Sequence, residues 1–254
     1  MNAFQAQFSK ELAKNVEPQI QKLNSDLASA STSADVVAAL DSSGLMNAPT
    51  QGLNLMGPDT ARSIGQAYSD ICSKFPFLAG NIGRANCSRL GSSTYGQCLM
   101  STGAIDFNTK YYGRGNEASF AASFSNCIST QFHPQGVMSK GAAYAVASHE
   151  LGHAIEGRLE KLMKAAGVDT TEKRKKRYFI SGRVKDKVLS NLSLVDDRSV
   201  IKAELSEYAA MDSAEFFAEA VSEYLCSPSP RPVAAEVGKI LERFLKNDFS
   251  DLGI

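Results

Sequence analysis

One pentapeptide in the chain has the spacing to hold a metal ion: His149-Glu150-Leu151-Gly152-His153. On an α-helix, residues four apart share a face, so both imidazoles can reach one ion. Glu150 follows His149 by one position and leans beside that ion, where its carboxylate can take a proton from water. Two neutral imidazoles, a third ligand and an open position make a catalytic zinc site. The chain has three histidines, and this pattern uses two of them. The other, in His133-Pro134-Gln135-Gly136, reads as a turn residue rather than a ligand. Gly152 costs a helix about 1 kcal/mol relative to alanine, which suggests that a neighbouring element approaches closely there.

The site needs a third ligand. An HExxHxxGxxH arrangement is excluded, because Glu156 and Leu159 stand where its glycine and third histidine would be. The other common solution is a glutamate from a later helix. Glu215, Glu219 and Glu223 follow one another at helical spacing and form one carboxylate stripe. Like charges so spaced repel by on the order of a few tenths of a kcal/mol, a cost that a facing cation removes. Glu215 as ligand, with Glu219 orienting a ligand histidine through its other ring nitrogen, is the chemically sensible division. Plainer readings compete. Asp212 can be an N-cap with Glu215 closing a capping box, and Glu219 and Glu223 can form a solvent face. That alternative weighs most for Glu223, which is left out of the site.

Several elements must position these groups. Residues 140–166 are helical, with Ala145, Leu151, Ile155, Leu159 and Leu162 on the apolar face and Gly167 suited to the stop. Residues 212–225 form a second helix, and the one after Pro232 buries Val233, Val237, Ile240, Leu241, Phe244 and Leu245. Residues 77–115, punctuated by glycine, read as two or three short strands. Upstream, Phe4, Phe8, Leu12, Val16, Ile20, Leu23 and Leu27 make one apolar stripe, with Pro18 as its kink or break. That stripe suits its own core or a partner helix. A short helix capped by Ser33 or Asp35 runs through Leu40, residues 41–58 are loop, and residues 59–74 are helical up to Pro76.

Composition narrows the function classes. A hydrophobic share of 43% with 21% charged residues is globular and excludes wholesale disorder. The 27 basic and 27 acidic residues cancel, so nothing draws the whole chain to nucleic acid or an anionic membrane. Residues 172–187 hold eight basic and two acidic side chains, a solvated face or an anion contact. The odd count of five cysteines without a CxxC pair fits free thiols in a reducing compartment. Under oxidising conditions Cys87 and Cys98 could bridge a loop. Neither a standard signal peptide nor a membrane-spanning run is visible, which points to a cytoplasmic or virion-associated protein.

The segments HELGHAIEG and YAAMDSAEFFAEAVSEYL resemble the gluzincin-type metallopeptidase domain of the anthrax lethal factor kind. They are more similar still to the phage- and prophage-encoded zincin domains associated with minor head proteins, with their HPxG turn and a Tyr seven residues before a ligand Glu. The resemblance covers about residues 130–245. The MDSAE stretch departs from it, since relatives more often carry an Asn-Pro or Asn-Glu step there; this touches the helix cap more than the chemistry. The resemblance implies that His149, His153 and Glu215 bind zinc and that Glu150 is the general base. It further implies that Tyr208 stabilises the oxyanion and that Glu219 supports a ligand from behind.

The fold expected is α+β, a mostly helical zincin-like domain over 59–254 with a small sheet packed on the HExxH helix. Residues 1–58 form an N-terminal helical extension and linker. The activity expected is zinc-dependent hydrolysis of a protein or peptide substrate, added as a strand to the sheet edge at 104–112. The alternative is a catalytically silent zincin-fold component, such as part of a phage head, with a protein partner on the N-terminal helix.

Overall fold

The computed structural model describes residues 3–170 and 179–253. The chain is α+β and mostly helical, with one three-stranded mixed sheet. The N-terminal stripe is broken rather than kinked, into two helices, α1 (Ala3–Leu12) and α2 (Glu17–Ser29). The break falls ahead of the proline, which sits in the first turn of α2, where its missing N–H costs nothing. Phe4 and Phe8 meet Phe249 edge-on at 4.6 and 4.9 Å. Ile20, Leu23 and Leu27 are buried too, so the stripe lies within the chain's own core. The residues read as an extension, 1–58, therefore contribute side chains to the same core as Phe244 and Leu252.

Helix α3 (Ser33–Ser43) is capped one residue earlier than expected. Thr32 accepts from the Asp35 N–H while the Asp35 carboxylate accepts from the Thr32 N–H, a reciprocal box that satisfies two free donors. Helix α4 (Pro58–Lys74) follows and ends before Pro76.

The sheet consists of β1 (Ala85–Ser88), β2 (Gly96–Leu99) and β3 (Ala104–Asn108), in the order β1-β3-β2. β3 runs parallel to β1 and antiparallel to β2. The expected substrate edge at 104–112 is thus corrected: β3 is the central strand, with Ile105 and Phe107 fully buried, and 109–112 is the short helix α5 (Thr109–Tyr112). The outer side of β1 is covered by Gln51, which donates to Ala85 O and accepts from Cys87 N–H. Among the described residues no strand pairs with the outer side of β2, which is the open edge. Asn108 N–H donates to Tyr95 O, and hydrogen-bonded pairs alternate in an antiparallel ladder, so Gly96 and Cys98 turn their backbone groups away from β3.

The remaining helices are α6 (Glu117–Ser129), α7 (Ala142–Ala165), α8 (Phe179–Asn191), α9 (Arg198–Glu204), α10 (Ser213–Cys226) and α11 (Pro232–Leu245). α7 is the central helix, packed against α4, α10 and β2. The basic stretch at 172–187 lies outside the described residues up to position 178; from Phe179 it belongs to α8. All five cysteines are free thiols, Cys87 and Cys98 included. Among the described residues no helix is long and apolar enough to cross a membrane.

Candidate metal centre

α7 and α10 cross where Gly152 meets Ala218. A Cβ on Gly152 would stand 2.9 Å from the Ala218 Cα, so only glycine allows this approach. The close element is a helix, and the crossing brings the glutamates of α10 over the histidines of α7. At the start of α10, Asp212 accepts from the N–H groups of Ala214 and Glu215 at 2.9 Å each. The cap is therefore made by Asp212, and the Glu215 carboxylate faces the histidines.

Glu215 Oε2 lies 3.2 Å from His149 Nε2 and 3.4 Å from His153 Nε2. One ligand-capable atom from each of the three residues falls within 4.8 Å of the others. Glu215 Oε2 is buried and, among the described residues, accepts no aligned hydrogen bond, while Oε1 accepts from the Tyr208 hydroxyl at 3.1 Å. A buried carboxylate oxygen without an aligned hydrogen bond, facing two ring nitrogens, is costly as it stands. A cation among the three atoms removes that cost, so the residues fit a metal ion. Burial alone raises Glu215, but His149 and His153 outweigh it and hold the carboxyl far below its usual range, in the charged form a metal needs.

Glu219, one turn along α10, is 2% exposed. Its Oε1 lies 2.8 Å from His149 Nδ1 and 3.1 Å from His133 Nδ1, and its Oε2 accepts from Ser206 Oγ at 2.9 Å. The His149 contact is short but lies off the N–H axis. Burial raises Glu219, and the His133 and His149 interactions overcome it, leaving the carboxyl at about 2. The solvent-face reading of Glu219 is thereby overturned.

Glu150 is also buried, and burial pushes its carboxyl up against the pull of His149 and His153. The nearby Cys98 backbone pulls the carboxyl the other way, which sets it beside β2. A Cβ on Gly96 would come within 3.0 Å of Glu150 Oε1, so the open edge lies directly over this carboxylate. Tyr208 opens the short 3₁₀ turn Tyr208–Ala210. Its ring stacks on Phe132 at 5.3 Å, and burial pushes its phenol up, which keeps the hydroxyl a donor. The cleft beside these groups has a volume of about 760 Å³, with Tyr95, Tyr111, Phe124 and Phe132 among its walls.

His149, Glu150, His153, Tyr208, Glu215 and Glu219 all meet at this one place. Glu223 does not, yet it is no solvent face either. It is 1% exposed, accepts from the Arg231 side chain at 2.7 Å and takes the Arg231 backbone N–H at 2.9 Å. Sequence reasoning missed three neighbours. His133 contacts Glu219 instead of merely shaping a turn, and Ser206 and Gly96 had only their types to offer, with no spacing pattern to single them out. Comparison with known proteins found no matching family model, no matching curated protein and no matching solved structure.

Proposed function

We propose that this chain is a zinc-dependent endopeptidase. The observation that carries the reading is the buried Glu215 oxygen set between two histidine Nε2 atoms with no aligned hydrogen bond among the described residues. Two imidazoles and a carboxylate are the donor set zinc accepts in hydrolytic sites. The resemblance of the HELGH and EFFAEAV segments to gluzincin-type peptidases, including those of phage minor head proteins, supports it. When bound, zinc supplies Lewis-acid polarisation of a carbonyl and brings the pKa of water to about 7.

The chain's own residues would do the rest. Glu150 accepts a proton from a water in the cleft as that water attacks the scissile carbonyl, then delivers it to the leaving amine. The Tyr208 hydroxyl, now given to Glu215, turns to donate to the developing oxyanion. The N–H and C=O of Gly96, turned away from β3, would offer an extended peptide a strand to pair with, which suits a substrate recognised by its backbone.

The test uses Glu150→Gln. The variant should bind about one zinc per chain, as the parent does, and cleave nothing in a mixed peptide library that the parent cuts. A zinc-loaded parent that cuts no peptide or protein in a broad screen would overturn the peptidase reading and favour a structural role in an assembly.

A further inference from the structure

We infer that His133 is a positioning residue for this centre: through Glu219 it fixes the tautomer and orientation of the His149 imidazole. The inference rests on the metal-site reading above and adds a residue outside the pentapeptide and outside α10. Glu219 Oε1 lies between two ring nitrogens, hydrogen-bonded to His133 Nδ1 at 3.1 Å and 2.8 Å from His149 Nδ1, so an N–H on each ring is the arrangement that lets one oxygen pair with both. A proton on His149 Nδ1 leaves Nε2 with its lone pair free, and Nε2 is the atom that faces Glu215.

A glutamate carboxyl turns easily about its last torsion. Here both oxygens are pinned, Oε2 by Ser206 and Oε1 by the two rings. His133 is itself held, stacked on Phe124 at 5.2 Å and 28° and set edge-on to Phe132 at 5.0 Å. The residues just before it brace the other side of the cleft. The carbonyls of Gln131 and Phe132 accept from Glu207 and Tyr208 N–H at 2.8 and 3.0 Å. Ser206 Oγ also accepts from Ala209 N–H at 3.0 Å. One short strip, 131–133, thus ties the Tyr208 turn to the carboxylate behind His149.

Two variants separate the ring from its donor. Histidine to phenylalanine (His133→Phe) keeps a ring against Phe124 and Phe132 and removes the N–H. His133→Asn keeps an N–H on the atom attached to Cγ, as in Nδ1, and removes the ring. Chelator competition with Zn²⁺ should show His133→Phe binding about 10–100-fold more weakly than the parent, with His133→Asn recovering most of that loss. The visible spectrum of the Co²⁺-loaded proteins should shift in His133→Phe and return toward the parent in His133→Asn. Parent-like Zn²⁺ affinity in a folded His133→Phe, or no recovery in His133→Asn, would overturn the assignment. Should His133→Phe not fold, His133→Leu serves as the donor-free variant. Glu215→Ala, run alongside, loses Zn²⁺ if the metal site is right and keeps it if that reading is wrong, whatever His133 does.

Discussion

Gly152→Ala puts the helix crossing under test. The added Cβ would stand 2.9 Å from the Ala218 Cα, a backbone atom that cannot swing aside. Ordinary carbon contacts lie at about 3.5–4.0 Å, so α10 must retreat from α7 by roughly 0.6–1 Å. Overpacking of this kind costs about 1–3 kcal/mol, and replacing a helical glycine returns about 1 kcal/mol. The net loss of stability is therefore small, about 0–2 kcal/mol. The effect on the metal is larger in proportion. Glu215 and both histidines sit on opposite sides of that crossing, and a site tolerates about 0.5 Å of misplacement. Zinc affinity should fall at least tenfold, or about 1.4 kcal/mol. The assay pairs chelator competition for Zn²⁺ with urea unfolding of the metal-free protein. Parent-like zinc affinity in Gly152→Ala would refute the claim that this crossing sets the ligand geometry, whatever happens to stability.

Two further predictions concern buried carboxyls away from the ligands. Glu156 takes the Ser181 N–H on one oxygen and, among the described residues, nothing on the other, and burial pushes its carboxyl from 4.5 up to about 7. The folded chain then keeps a proton that the unfolded chain has lost, so its stability is complete below about pH 4.5 and declines as pH rises toward 7, by about 3 kcal/mol in all. Glu156→Gln should remove that slope, and urea curves of metal-free parent and variant that stay parallel from pH 4.5 to 8 would count against it. Arg231→Ala leaves the buried Glu223 with the backbone N–H of residue 231 but without the guanidinium, and calorimetry should record a loss of about 3 kcal/mol; a change under about 1 kcal/mol would mean that the pair does not hold α10 to the segment before α11.

The HExxH pair was legible because an α-helix repeats locally: four residues on always means the same face, wherever the helix ends up. The carboxylate stripe on α10 was legible for the same reason. Periodicity could not say which stripe member meets which partner. Glu215 faces two imidazoles, Glu219 is clasped by His133 and Ser206, and Glu223 goes to Arg231, although all three share one face and one residue type. Distance along the chain hid these pairings, since His133 and Glu219 are 86 residues apart.

The sheet repeats the lesson. Short strands between glycines were readable, but strand order was not, because β3 is claimed on both sides by segments that arrive separately. The open edge therefore moved from 104–112 to β2. By itself the sequence determined that two histidines and a glutamate could share one metal and that helices would carry them. Only the tertiary structure decided how near those helices come, at Gly152 and Ala218, and which buried charges are left for a cation. Close approach and burial are properties of packed surfaces, which no local repeat encodes.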